Sequence, residues 1–147
     1  MSRSGYWEDW DGDGRPPEFY RRAVENAVNG KRGQAFLTEL LAALDALPAP
    51  RLIAGQLIED GEVCALGALA IRRGMDTSNI DVENPDSVAD AFKIPRCLAA
   101  EIEYENDDDF SANNNVTPEQ RFQYMRKWVV SCLASQSQSK VENERLD

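Results

Sequence analysis

The stretch FYRRAVENAVNGKRGQAFLTELLAALDALPAP, residues 19–50, decides the fold class. Its first half places apolar residues on one face, at Phe19, Tyr20, Ala23, Val24, Ala27 and Val28. Its second half repeats this helical spacing, at Phe36, Leu37, Leu40, Leu41, Leu44 and Leu47. The segment NGKRG separates the two halves, and Pro48 and Pro50 end the second. The spacing predicts two amphipathic helices joined by a short connection, which is an antiparallel helical hairpin.

The next stretch, RLIAGQLIEDGEVCALGALAIRRG, has a pattern different from that of the two helices. Two apolar pairs and the turn signal Asp60-Gly61 predict a β-hairpin that pairs residues 51–58 with 62–65. The small residues that follow end in Arg72-Arg73-Gly74, and cations followed by glycine are typical of a helix C-terminus. We therefore expect Cys64 at the end of a strand or at the entry to a short helix.

Three more helix starts follow. Asn84-Pro85 combines a capping residue with proline in the first turn, and Ile94-Pro95 opens another helix. Between them and the last helix, the polar run EYENDDDFSANNN, residues 103–115, predicts a loop. Thr117-Pro118-Glu119-Gln120 is a capping box that begins the last helix.

The predicted fold is mainly α, with about six helices and one β-hairpin in a single compact domain. Residues 16–134 form this domain. An acidic aromatic arm, residues 1–15, precedes it, and a disordered tail, residues 135–147, follows it.

Composition excludes several chemistries. The chain has 147 residues and no histidine, so it cannot form a Ser-His-Asp triad, a Cys-His dyad or an HExxH zinc site by itself. Its three cysteines are widely spaced and predict reduced thiols. No apolar run is long enough for a membrane span and no signal peptide is visible, so we expect a soluble cytoplasmic protein. The sequence indicates no cofactor and no metal.

The net charge of −10 is concentrated in one segment. Residues 76–109 contain 11 acids and two bases. Such a field repels nucleic acid and attracts a protein with a basic surface, although a solvated acidic face is the alternative. Asp107, Asp108, Asp109 and Glu105 are the candidate partner-binding acids, and large aromatics such as Trp7 and Trp10 often anchor an arm to a core or a partner.

The N-terminal EDWDGDG begins like a calcium-binding EF-hand loop, since Asp9, Asp11 and Asp13 alternate before Gly14. With Asp9 at the first loop position, the twelfth is Tyr20, where an EF-hand needs a bidentate glutamate. We therefore predict an acidic arm and no specific calcium site.

Two other groups could carry chemistry. Cys64 could be a nucleophile at a helix N-terminus, but the small residues around it, Gly67 among them, predict close packing against a neighbouring element. Glu101 and the acids from Glu105 to Asp109 could hold Mg²⁺, but Asn106 and the aspartates could equally terminate a helix through hydrogen bonds to the backbone.

The pieces EDWDGD, NGKRGQAFLTELLAALDALPAPRLIAGQLIEDGEVCALGALAIRRGMD, IEYENDDDF and TPEQRFQYMRKWV together resemble a set of uncharacterised small proteins encoded in proteobacterial genomes and by their phages. The resemblance extends to about residue 130. It draws attention to Cys64, Gly67 and Asn106 as parts of shared motifs, and it implies kinship without a known activity.

Three functions are consistent with these observations. The first is a non-enzymatic protein-binding module of phage or mobile-element type, an inhibitor of a host defence or regulatory complex. The second is a small enzyme that uses Cys64 or carboxylate-bound metal. The third is a bacterial housekeeping protein without a role in defence.

Overall fold

The computed structural model describes residues 18–107 and 116–145, with side chains described as far as residue 134. In these ranges the helices are α1 (Glu18–Asn29), α2 (Lys31–Asp45), α3 (Ala65–Arg73), α4 (Pro85–Phe92), α5 (Arg96–Asp107) and α6 (Pro118–Arg145). A two-stranded antiparallel sheet, β1 (Ile58–Glu59) and β2 (Glu62–Val63), lies between α2 and α3 in the chain. The predicted fold class is confirmed: six helices and one hairpin form a compact single domain.

The core lies where α2 meets α3 and α6, and α5 joins it from the other side through contacts with α1, α3, α4 and α6. Its fully buried apolar side chains come from five helices and include Leu37, Leu40, Leu44, Leu66, Leu69, Val88, Phe92, Leu98, Ile102, Met125 and Val129. Complete burial of one such side chain stabilises the fold by about 1.5–3 kcal/mol. The apolar spacing read from the sequence therefore describes the faces that the helices bury.

The connection between α1 and α2 is shorter than the sequence predicts. Gly30 alone separates the two helices, and Lys31 already begins α2. A methyl group added at Gly33 would lie 1.7 Å from the carbonyl oxygen of Ala27, so the absence of a side chain lets the two helices approach closely here.

Phe19 does not belong to the buried face of α1. Its side chain is 75% exposed, whereas Val24 and Ala27 are partly buried and Val28 is buried. The apolar face of α1 therefore meets the core at the C-terminal end of the helix, and its first turn projects beyond the core.

Local capping signals are confirmed. The side chain of Asn84 accepts a hydrogen bond from the Asp86 amide at 3.0 Å, which caps α4. At the start of α6, the Thr117 amide donates to the Gln120 side chain at 2.9 Å and the Gln120 amide donates to the Thr117 hydroxyl at 3.1 Å. This reciprocal pair is the predicted capping box.

Two predicted boundaries differ from the structure. α5 continues through Asp107, so the first part of the polar run predicted as a loop is helical. α6 extends to Arg145, whereas the sequence predicts a disordered tail over residues 135–147. Among the described residues, no helix combines the length and apolar character needed to cross a bilayer.

Candidate functional site

Cys64 lies at the junction of β2 and α3, as predicted. It is the N-cap residue of α3, and its sulfur accepts a hydrogen bond from the Gly67 amide at 3.4 Å. The residue is completely buried. A thiol in this position satisfies an amide at the start of the helix and is not accessible to a substrate in this conformation.

Gly67 packs against the chain just before the hairpin. A methyl group added there would lie 1.9 Å from the carbonyl oxygen of Leu57 and 3.2 Å from the Cβ atom of Val63. α3 therefore approaches the backbone of the hairpin at van der Waals distance. This geometry is consistent with the prediction that the small residues around Cys64 serve close packing.

Asn106 connects three distant parts of the chain. Its side-chain oxygen accepts a hydrogen bond from the Ala65 amide at 3.1 Å, and its side-chain nitrogen donates to the carbonyl oxygen of Ile53 at 2.9 Å. Its own carbonyl oxygen accepts a hydrogen bond from Arg121 Nε at 2.8 Å. Asn106 is buried, so these bonds hold the N-terminus of α3, the segment before β1, and α6 against the end of α5.

Two carboxylates of α5 are buried. Glu103 is 1% exposed and Glu105 is 8% exposed. The Tyr124 hydroxyl of α6 donates a short hydrogen bond to Glu105. Glu105 was a candidate for an exposed partner-binding surface, and this has to be corrected, because its carboxylate faces α6 and not solvent.

The remaining candidate acids are placed as follows. Asp107 is half-buried at the last position of α5, and its carboxylate accepts a hydrogen bond from the Asn106 side chain at 2.6 Å. Asp108 and Asp109 lie outside the described residues, as do Trp7, Trp10 and the calcium-like motif of the N-terminal arm. Within the described part of the chain, no group of three or more acids and cysteines is placed to hold a metal ion.

The other two cysteines are weakly acidic thiols. Burial raises the pKa of Cys132 to about 11, and it also raises the pKa of Cys97. Both side chains are therefore protonated near neutral pH, and a protonated thiol is a poor nucleophile.

Five exposed acids lie in α4 or in the loop directly before it, and we call these five residues the acidic surface. It consists of Asp76, Asp81, Glu83, Asp86 and Asp90. The only bases between residues 76 and 107 are Lys93 and Arg96, and Arg96 Nε lies 3.6 Å from a carboxylate oxygen of Asp86. Among the described residues of the predicted acidic segment, the exposed acids are those at residues 76–90.

Short-range hydrogen bonds fix the backbone that carries these charges. The Asp76 carboxylate accepts from the Ser78 amide at 3.0 Å and from the Ser78 hydroxyl at 2.7 Å, which lowers the pKa of Asp76. The Asp81 carboxylate accepts from the Glu83 amide at 3.1 Å. These side-chain to backbone hydrogen bonds form tight turns that constrain the loop before α4.

Comparison with known proteins gives no family assignment, since no family model, no curated protein and no solved structure matches this chain. The resemblance to small proteobacterial and phage-encoded proteins therefore stays a prediction. The class that the fold defines is a small helical domain with a buried polar hub at Asn106 and an exposed acidic surface.

Proposed function

We propose that this chain is a non-enzymatic protein-binding module of phage or mobile-element type, whose acidic surface docks onto a basic surface of a host protein. In this proposal the chain acts in the cytoplasm as an inhibitor of a host defence or regulatory complex. The observation that carries the proposal is the exposure of all five acids at residues 76–90, while two acids of α5 turn inward.

The charge distribution supports a partner of opposite sign. A net charge of −10 creates a field that repels nucleic acid and steers a basic protein toward the chain. At physiological salt, mobile ions screen charges over a distance of about 8–10 Å. The charges that lie nearest the partner therefore dominate this steering. The acidic surface would present its carboxylates as DNA presents phosphates, so a nucleic-acid-binding protein fits as the partner.

The positions of the cysteines and carboxylates weigh against the enzyme hypothesis. Cys64 is buried and its sulfur is used to cap α3, while Cys97 and Cys132 have raised pKa values. Glu105 is buried against Tyr124. Nucleophilic or general-base catalysis requires a group that a substrate can reach, so these side chains favour a structural role.

The test compares two variants that lose the same charge. In the first, the acidic surface is converted to amides by Asp76→Asn, Asp81→Asn, Glu83→Gln, Asp86→Asn and Asp90→Asn. In the second, five exposed acids elsewhere are converted, by Glu18→Gln, Glu25→Gln, Glu59→Gln, Asp60→Asn and Glu119→Gln. Asparagine keeps the oxygen that accepts the turn hydrogen bonds at positions 76 and 81, so the fold should be retained.

Both variants and the parent are used for affinity capture from a proteobacterial host lysate, and the captured protein is then purified for kinetics. We expect neutralising the acidic surface to slow association by about tenfold or more at low salt and to flatten its salt dependence. The charge-matched control should keep most of the rate. Equal association rates for the two variants across low and high salt would show that the acidic surface is only a solvated face.

A further inference from the structure

A cleft of about 570 Å³ lies between the first half of α2, the end of α3 and the end of α4, and its residues Met75 and Ala91 adjoin Asp76 and Asp90 of the acidic surface in the chain. This volume falls within the range of about 300–1,000 Å³ that is usual for small-molecule sites. Phe36 and Phe92 pack edge to face beneath it, with ring centroids 6.5 Å apart and planes at 87°. Further apolar lining comes from Ala35, Met75, Ala91 and Ile94.

The charged residues of the cleft are Arg32, Arg73, Lys93 and Glu39. Arg73 and Glu39 form a forked pair with nitrogen–oxygen distances of 2.7 and 2.8 Å, and Arg73 also lies 5.5 Å from the centre of the Phe36 ring. The hydrogen bonds from Arg73 lower the pKa of Glu39, so this carboxylate is ionised and neutralised by its partner. The other two cations of the cleft, Arg32 and Lys93, are not neutralised in this way, although the net charge of the protein is −10.

The side chains of these two cations, Arg32 and Lys93, are exposed. Neither forms a hydrogen bond or an ion pair with any residue in the described part of the chain. Both line the same cleft, next to its apolar floor. A site that pairs an apolar floor with unpartnered cations is complementary to an anion that carries an apolar body.

The backbone at Lys93 gives a second reason to single out this residue. Lys93 is the C-cap of α4 and has a left-handed conformation, with φ 59° and ψ 45°. The corresponding position after α3 is Gly74, with φ 66°. Glycine adopts this conformation without the steric cost that a side chain adds, so lysine at this position is less favourable for stability than glycine would be.

We propose that the cleft binds a small amphipathic anion, an organic carboxylate, sulfonate or phosphate with an apolar body. Arg32 and Lys93 hold its acidic group, and the apolar body packs on the accessible apolar lining above the buried Phe36 and Phe92 rings, which is formed by Ala35, Met75, Ala91 and Ile94. The cleft and the acidic surface share no residue, so the two activities can be tested separately. The cleft is open to solvent, and its volume of about 570 Å³ suits a small molecule.

The test uses two fluorescent probes of nearly equal shape. Anilinonaphthalenesulfonate carries the anion, and phenylnaphthylamine is its uncharged counterpart. We expect the sulfonate to bind the folded chain saturably at a single site, with an affinity that falls as salt is added. The affinity for the uncharged probe should be lower by a factor of roughly ten or more. The near-ultraviolet circular dichroism of the chain should be retained at saturation, which separates this binding from binding to an unfolded state.

Four variants locate the site. Lys93→Gly and Arg32→Gln should each weaken sulfonate binding about tenfold, while Lys31→Gln, which removes an exposed cation outside the cleft, should leave it nearly unchanged. Lys93→Gly should also raise the melting temperature or leave it unchanged, so lost binding cannot be attributed to unfolding. Ala35→Trp should weaken both probes by filling the cleft.

Several results would overturn the proposal. One is the absence of saturable sulfonate binding by the parent chain up to millimolar concentration. Another is equal affinity of the parent for the charged and uncharged probes. A third is equal loss of affinity in Lys93→Gly, Arg32→Gln and Lys31→Gln, because this would indicate non-specific attraction to positive charge. Binding of an acidic peptide without binding of the sulfonate would show that the cleft serves a macromolecule instead.

Discussion

Replacing Asn106 by aspartate tests whether the buried amide is the hub that joins α5 to the rest of the fold. Asparagine and aspartate have nearly the same shape, so Asn106→Asp creates no cavity. The oxygen that accepts from the Ala65 amide is kept. The nitrogen that donates to the Ile53 carbonyl at 2.9 Å and to the Asp107 carboxylate at 2.6 Å is replaced by an oxygen.

The expected cost follows from this exchange of donor for acceptor. The Ile53 carbonyl loses a buried partner, which costs about 1–3 kcal/mol. The new carboxylate is charged at neutral pH, is buried, and faces two other oxygens, and each unit by which this environment raises its pKa adds about 1.4 kcal/mol. We expect a loss of about 2–5 kcal/mol in the free energy of unfolding at pH 7. Because domains are stable by about 5–15 kcal/mol, this loss removes a large part of the total stability.

The pH dependence has a defined sign. Burial and the neighbouring Asp107 carboxylate disfavour the ionised form, so the pKa of the new carboxyl in the folded state lies above its unfolded value of about 3.9. Below that unfolded value the protonated carboxyl can donate to Ile53, and the variant loses least. The loss of stability relative to the parent should grow as the pH rises from the unfolded value toward the folded-state pKa, and it should level off above that pKa.

Urea unfolding followed by circular dichroism, for parent and variant at several values between about pH 4 and 8, measures this difference. The matched control is Asn84→Asp, the same chemical change at an exposed helix cap, which should alter stability by no more than about 0.5 kcal/mol. If Asn106→Asp lowers the free energy of unfolding no more than the control does, or if this loss does not vary with pH, the hydrogen bonds of Asn106 do not stabilise the fold as we infer.

Three other changes have expected outcomes. Gly67→Ala should cost about 3 kcal/mol in the free energy of unfolding, because its methyl group would meet the Leu57 carbonyl at 1.9 Å; an unchanged urea midpoint would contradict this. Cys64→Ala should cost about 1 kcal/mol, because it removes only the sulfur that accepts from the Gly67 amide. Cys64→Leu should cost about 1–3 kcal/mol more through overpacking, and equal melting temperatures for the two variants would refute the packing argument. The lowered pKa of Glu39 predicts that its pairing with Arg73 stabilises the fold above about pH 4.3 and that this stabilisation is lost on acidification. A double-mutant cycle with both residues changed to glutamine measures the coupling energy of the pair. A coupling energy that does not change with pH would contradict the prediction.

The sequence predicted the features that depend on a few neighbouring residues. Asp60 and Gly61 both have positive φ, 53° and 80°, as a tight hairpin turn of this composition requires. Gly74 ends α3 in the left-handed conformation, and Thr117 and Gln120 form the capping box. In each case the conformation is set by contacts within about four residues, so the local sequence is sufficient to specify it.

The length of the hairpin could not be predicted in the same way. Residues 51–58 were expected to form a strand, but the ladder contains only two residues on each side. The Leu52 amide donates to the Pro118 carbonyl at 3.0 Å, and the Ile53 amide donates to the Val63 carbonyl at 2.8 Å. The apolar residues of this segment are thus held partly by the start of α6, an element whose position the local pattern does not contain.

The amino-acid sequence by itself determined the helical class of this protein, the faces that its helices bury, and most of its caps and turns. The tertiary structure decided that Glu105 and Asn106 are inside, that Phe19 is outside, and that Arg32 and Lys93 line one cleft. Periodicity identifies an apolar face, but a polar side chain is buried only where a distant group satisfies it. For Asn106 that group is Ala65, 41 residues away in the chain, and no pattern around either residue indicates that they meet.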